Sequence, residues 1–448
     1  MSDDGSAGTA MLGLPGFVLL GVSAAYGELE QVIETTAAAT WCSGCGVAAR
    51  PHGRRQVRVR DLPSGGRAVT LVWLKRLWRC PEPLCPVTTW SERSDQLRPR
   101  SSLSERARRE ACRLVGADGV DVAAVATMFG VGWATVMRAV RDHGQPLVED
   151  PDRTAAVTRI GVDETAFLAA NGRHHTQFVT GIVALPGPGR ASAQLLDIVP
   201  GRTANVLRHW INSRPVDWRE QITVASLDPF RGYATALSAA LPRAVRVLDA
   251  FHVVRLGLAA VDDVRRRIQQ DTLGRRGHRD DPLYRARRLL RRSFTTLTTR
   301  QWATVEHALV AGDPTRQLTD AWMVGQELML FYARSRDLAE AKRRLWAILD
   351  RCAQSNVPEL LRLARTLDAW RDELLAAFTT TGRRRVSNGP TEAVNALIKK
   401  VKRVGHGFRN LDNYRLRVLL NAGVDWNTVT WQAAPATPIR GRHPRFVA

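Results

Sequence analysis

Apolar residues recur along this chain with two periods, and the switches between them divide it. From Val157 to Phe167 they alternate with polar residues, the period of a half-buried strand. His175 to Leu185 and Ala193 to Val199 read as two more strands, joined through the turn Pro186-Gly187-Pro188-Gly189. Thr203 to Ile211 has helical spacing, Ile222 to Leu227 is a strand, Tyr233 to Leu241 a helix and Ala244 to Leu248 a strand. From Phe251 to about Thr381 the pattern is helical with no strand, and another helix is expected from Pro390, well placed at N1, to about Val401. Upstream, Gln56 to Arg60 and Ala68 to Leu77 form a hairpin about Ser64-Gly65-Gly66. Three helices follow: one capped by Ser104 and running to Val115, a short one from Val120 to Met128, and a third from Trp133 to Asp142. Leu147 to Arg153 reads as a linker.

Four of the six cysteines sit on the hairpin's flanks. Cys42 and Cys45 form one close pair, with Gly44 and Gly46 giving the turn, and Cys80 and Cys85 form another. Two such pairs held by a hairpin supply four thiolates for one closed, structural zinc ion. His52 is a possible substitute, and Cys112 and Cys352 are expected in the core. The second and third helices have helix-turn-helix spacing about Phe129-Gly130-Val131-Gly132, with Gly130 suited to a left-handed turn. Val122, Val125, Ala126, Val131, Val136 and Val140 face inward. That leaves Trp133, Thr135, Arg138 and Arg141 on the outer, DNA-reading face of the third helix.

Three strands, a helix, then two strands with helices between them is the order of a ribonuclease-H-like mixed sheet. The expected fold is therefore multidomain α+β: a zinc-ribbon-like unit and a helix-turn-helix, then a ribonuclease-H-like α/β core with an all-helical insertion. The expected divisions are an N-terminal strand segment and zinc unit over 1–98, the helix-turn-helix over 99–148, the core over 155–255 and 382–428, the insertion over 256–381 and a tail over 429–448.

Charge narrows the partner. The 448 residues hold 65 Lys+Arg against 43 Asp+Glu, a net of +22, so a polyanion is the first candidate. The surplus is mostly arginine, whose planar fork donates two hydrogen bonds to a phosphate. It clusters over residues 50–113, 254–300 and 382–417. The best apolar run, Met11 to Ala25, is broken by glycines and Pro15 and falls short of a bilayer span, and the start Met1-Ser2-Asp3-Asp4 lacks a signal peptide's positive charge. A cytoplasmic, nucleoid-associated location is expected.

A nucleic-acid enzyme of this class holds two Mg²⁺ ions on hard oxygen ligands. Three acids interrupt or end apolar segments in suitable elements: Asp163 on the first strand, Asp228 at the end of the fourth, and Glu392 in the first turns of the helix after Ser387-Asn388-Gly389-Pro390. Glu164 falls on the opposite face by alternation. Asp249, beside His252, is open to three roles: fourth ligand, support for a ligand, or helix cap. His252 orients a ligand or contacts DNA. Asn388 and Asn395 hold DNA or orient the acid, and Lys399, Lys400, Lys402 and Arg403 are placed to bind backbone phosphates.

The segments WCSGCG, RCPEPLC, the helix-turn-helix, IGVDETAF, LDIVPGRTANVL, VASLDPFRGYATAL, VLDAFHVVRL, DDPLYRARRLL and SNGPTEAVNALIKKVKRVGHGFRN together resemble the ISL3-type bacterial insertion-sequence transposases over nearly the whole chain. The resemblance implies a DDE transposase with catalytic residues Asp163, Asp228 and Glu392 holding two Mg²⁺ (or Mn²⁺) ions. It implies double-stranded DNA as partner, both the terminal inverted repeats and the target, with a homodimer or larger assembly at synapsis. Many relatives carry an acid at the end of the second strand, where this chain has Ala184. Two other readings stay open: a catalytically silent, sequence-specific DNA-binding regulator, and a metal-dependent nuclease without strand transfer.

Overall fold

The computed structural model describes residues 4–37, 39–171, 175–379 and 389–431. They form two compact units, one of Met1–Pro151 with Leu397–Ala448 and one of Asp152–Ala396.

The first unit opens with helix α1 (Asp4–Leu12), followed by β1 (Phe17–Ala25), β2 (Glu28–Thr35), β3 (Arg50–Ser64), β4 (Arg67–Arg79) and the short β5 (Thr89–Ser91). The sheet order is β1-β2-β4-β3, with β2 parallel to β4 and β5 pairing β4. The expected hairpin is thus the β3–β4 half of a larger sheet. The glycines that break the Met11 to Ala25 pattern do not prevent a strand, because the register shifts between Leu19 and Gly21 and absorbs the irregularity. One face buries Phe17, Ile33, Leu71 and Trp73, while Arg60 on β3 pairs with Glu28 on β2. Helices α2 (Glu105–Gly116), α3 (Val122–Phe129) and α4 (Trp133–Glu149) follow. Ser104 caps α2, accepting from Ala107 N at 3.2 Å, and Asp121 caps α3. Gly130 ends α3 at φ +64°, where any other residue is strained. Helix α4 runs seven residues past its expected end and into the first three residues of the expected linker, where the buried Val148 holds the extra turn in place.

The second unit begins with α5 (Asp152–Ala155), β6 (Arg159–Leu168), β7 (Gln177–Ala184), β8 (Gln194–Pro200), α6 (Ala204–Asn212) and α7 (Val216–Glu220). Then come β9 (Val224–Leu227), α8 (Arg231–Ala240), β10 (Val245–Leu248) and the 24-residue α9 (Ala250–Leu273). The strand order is β10-β9-β6-β7-β8. Strands β6, β7 and β8 form an antiparallel meander, while β9 and β10 run parallel to β6. All four residues of β9 are buried, as befits an unbroken apolar run between two parallel neighbours. The remaining helices are α10 (Pro282–Ala286), α11 (Thr299–Gly312), α12 (Gln317–Arg334), α13 (Leu338–Gln354), α14 (Pro358–Ala369) and α15 (Arg371–Leu375). No strand occurs among the described residues of this stretch. One hydrophobic core runs from Ile160, Val162, Ala225 and Leu227 in the sheet to Val261, Leu328 and Leu360 in the helices.

Helix α16 (Gly389–Val404) straddles the division between units, and α17 (Leu411–Ala422) lies in the first. Helix α17 packs against α2 and α4, burying Tyr414, Leu416, Val418, Leu419 and Leu420. The close approach requires Gly116: a Cβ there would meet Trp426 Cζ2 at 2.5 Å. Residues 382–428 are expected with the sheet; within that segment α17 clusters with the first unit. The apolar face of α17 is spent on the helix-turn-helix, a tertiary choice that helical periodicity does not encode. No single helix among the described residues is long and apolar enough to cross a membrane.

Candidate active site and zinc centre

Strands β6 and β9 run side by side in parallel, with Val162 opposite Leu227. The next residue on each is an aspartate, so the register alone brings Asp163 and Asp228 together. Their carboxyls lie within hydrogen-bond reach of each other. Burial, then the charge of Asp163, pushes Asp228 up to about 8. Asp163 Oδ1 accepts from Glu164 N at 2.7 Å, while Glu164 points out and pairs with Arg202.

Three further residues complete the surroundings. Asp249 caps α9, accepting from His252 N at 3.3 Å and lying 2.7 Å from His252 Nδ1. His252 Nδ1 also stands 3.0 Å from Asp228 Oδ1, so the imidazole bridges two carboxylates. Burial opposes protonation of His252, but the Asp249 hydrogen bond and the nearby carboxylates outweigh it and raise its pKa. Asp249 is thus the helix cap, and with Asp228 and His252 it forms a group whose possible ligand atoms all lie within 4.8 Å of one another. On α16, Asn395 Nδ2 donates to Asp163 Oδ2. Asn395 is 5% exposed, so its side chain is packed against Asp163 rather than turned to solvent. Its Oδ1 and the hydroxyl of Thr391, one turn earlier, are buried without a hydrogen-bond partner among the described residues.

Glu392 lies three residues before Asn395 on the same helix, a spacing that puts both on neighbouring faces. It is exposed, and it makes no hydrogen bond or ion pair among the described residues. Asp163 and Asp228 thus meet directly, while Glu392 contacts neither of them among the described residues and shares helix α16 with Asn395, which does. Hard oxygen donors crowded until one resists ionisation suit a divalent cation such as Mg²⁺.

The zinc cysteines converge. Cys42 and Cys85 sulfurs are 3.6 Å apart, Cys45 and Cys80 3.5 Å, and all four lie within 4.8 Å of one another. Sulfurs bound tetrahedrally at about 2.3 Å stand roughly 3.8 Å apart, so the set fits zinc. Gly44 N donates to Cys42 Sγ at 3.4 Å and leads the influences that lower that thiol to about 7. His52 is exposed on β3 and is no part of the cluster. Cys112 and Cys352 are fully buried, as expected.

On α4, Trp133 is 49% exposed, Arg138 and Arg141 are exposed, and Thr135 is half-buried. Arg141 also donates to Asn413 Oδ1 of α17 at 2.9 Å, a tie that sequence reasoning missed because its partner lies 272 residues away. Lys399, Lys400 and Arg403 are exposed on α16 and Lys402 is half-buried. Asn388 lies outside the described residues.

Comparison with known proteins agrees in three parts of the chain. Residues 160–418 match the transposase model of the ISL3 type. Residues 38–85 match the zinc-finger of transposase IS204/IS1001/IS1096/IS1165, and residues 92–144 match the helix-turn-helix domain of transposase family ISL3. The transposase for insertion sequence element IS1001 of Bordetella parapertussis is 28% identical over 401 residues, 87% of this chain and 90% of its own. That for IS1557 of Mycobacterium tuberculosis is 27% identical over 345 residues, 72% and 71% of the two chains. Among solved structures, the Drosophila P element transposase strand transfer complex aligns with a TM-score of 0.37 and 11% identity, covering 72% of this chain and 92% of that one. With the family model spanning more than half its length, the chain belongs to the ISL3 family of transposases.

Proposed function

We propose that the protein is a DDE transposase that binds the terminal inverted repeats of an insertion sequence and cuts and joins DNA strands with two Mg²⁺ ions. DNA binding and transposition follow from the family. The finer reading rests on one observation: Asp163 and Asp228 side by side at the register of two parallel strands, with the helix that carries Glu392 tied to Asp163 through Asn395. The strand order, an antiparallel meander followed by two parallel strands, supports a ribonuclease-H-like core.

Asp163, Asp228 and Glu392 are the ligands in this reading. Ions between them would supply the charge that lowers the pKa of an attacking water and stabilises the leaving oxygen. The chain's own work is positional. Asn395 fixes the rotamer of Asp163, His252 holds Asp228, and Asp249 holds His252. The four-cysteine knot and the helix-turn-helix serve end recognition, and a dimer or larger assembly brings two ends together.

The test uses full-length protein, a duplex carrying the element's end, and Mg²⁺. Asp228→Asn and Glu392→Gln should bind the duplex as wild type does and lose strand cleavage by about 10³-fold or more. Wild-type cleavage by either variant removes that residue from the set. Nicks without joined products would favour the nuclease reading.

A further inference from the structure

The arginine-rich stretch singled out in the sequence folds into a concave site within the second unit. The C-terminal half of α9, the loop through Gly277 and the segment after α10 enclose a cavity of about 390 Å³. Arg265 and Arg266 line it from α9, Arg276 from the loop, and Arg287, Arg288 and Arg291 from the far side. Asp262 is the single acid on that lining among the described residues.

The charges on this wall do not cancel. Asp262 is shared by two guanidinium groups, 2.6 Å from Arg265 Nη2 and also paired with Arg266. Arg265 is only 4% exposed and is held from the other side by Gln269, so it is a fixed group rather than a solvated one. Arg287 lies flat on Tyr284, 3.8 Å from the ring centroid, and donates to the Tyr284 carbonyl at 2.7 Å. Arg276, Arg288 and Arg291 are exposed and pair with no carboxylate among the described residues. Elsewhere in the same stretch Arg267 pairs with Glu359 at 2.8 Å and Arg275 with Asp281 at 2.5 Å. Within this wall Asp262 offsets Arg265 and Arg266, and Asp263 also stands 3.6 Å from Arg266, which leaves Arg276, Arg287, Arg288 and Arg291 with no carboxylate partner among the described residues. Positive charge gathered in a concave site needs an anion there, and planar forks on several sides suit phosphate oxygens.

We infer that this cavity is a phosphate-binding site of the helical region that grips the backbone of the transposon DNA, an inference that rests on the transposase reading above. The contact is sequence-independent, since phosphates position a duplex and bases identify it.

The test compares wild type with the triple variant Arg276→Ala/Arg288→Ala/Arg291→Ala, all at exposed positions. Binding to an end-carrying duplex and to a scrambled duplex of equal length is followed by anisotropy across a salt series. Each lost phosphate contact removes about 0.9 from the slope of log affinity against log salt, so the slope should become shallower by about 2 to 3 on both duplexes. Affinity near physiological salt should fall by about tenfold or more, with zinc content and melting temperature unchanged. An unchanged slope overturns the inference. Loss of binding on the end-carrying duplex alone also overturns it, because the contact would then be reading sequence. A free phosphate compound is checked with sodium pyrophosphate: if it stabilises wild type but not the variant while the DNA slope stays the same, the cavity does not serve DNA. If wild type itself binds neither duplex, the transposase reading fails first and is distinguished from failure at this site.

Discussion

Asn395 is the residue on which the candidate site depends most. It is the link between α16 and the strand acids, and it touches Asp163 rather than solvent. Asn395→Ala should therefore lower Mg²⁺-dependent cleavage by about 10- to 100-fold, the usual cost of removing a group that orients a metal ligand, with DNA affinity unchanged. Loss of binding together with cleavage would make it a DNA contact instead. A second residue-scale prediction concerns His143, which is 3.2 Å from Glu105 Oε1. Burial, then Arg108, Arg98 and Arg109, hold it down to about 4, against a weaker pull from Asp142, and the Trp431 ring packs edge-on against it. Unfolded, it takes a proton near 6.5, so the folded state keeps this stability above about pH 6.5 and loses it as pH falls toward 4. By about pH 5 the loss is on the order of 2 kcal/mol, and His143→Phe should melt with a smaller drop between about pH 7 and pH 5 than wild type. An equal drop would assign the acid sensitivity to other groups. The sequence exposed Asp163 and Asp228 because each breaks an apolar run that would not otherwise tolerate an acid. It left Asp249 ambiguous, because a cap and a metal-supporting carboxylate occupy the same position after a strand. The partnership of His252 with both aspartates depends on two strand ends meeting, which local sequence does not specify.

At the scale of elements, periodicity was enough wherever packing followed the local pattern. The meander β6–β8, the buried β9 and α3 lie within a few residues of their expected bounds, and α4 starts where expected but runs seven residues further. The failures lie where tertiary contacts decide. Helix α1 and the β1–β2 pair were not separated within a glycine-broken apolar run, and α17 joins helices more than 260 residues earlier in the chain. The cysteine knot was legible because zinc demands a spacing that backbone geometry must deliver. Its sulfurs already stand 3.5 and 3.6 Å apart in two pairs and all within 4.8 Å, so Cys42→Ser should reduce bound zinc from one per chain to none by elemental analysis. The same variant should weaken end binding by destabilising the strands that carry the cysteines. Retained zinc would show that the remaining thiols and another group hold the ion.

Across the whole molecule, function is assembled from distant parts of the sequence. The two aspartates are 65 positions apart, and Glu392 is 164 positions beyond the second. The net charge of +22 is likewise not spread evenly, because ion pairs such as Arg267–Glu359 and Arg275–Asp281 cancel locally and the surplus falls on the arginines left without an acid. The central claim is that one metal site draws on all three acids, and it can be tested without relying on catalysis. Fe²⁺ replacing Mg²⁺ in the DNA-bound protein, with ascorbate and peroxide, cuts the polypeptide beside its own ligands, and mass spectrometry locates the cuts. The account predicts cleavage beside Asp163, Asp228 and Glu392, lost together in Asp228→Asn. Cleavage at the two aspartates with none near Glu392 would contradict it.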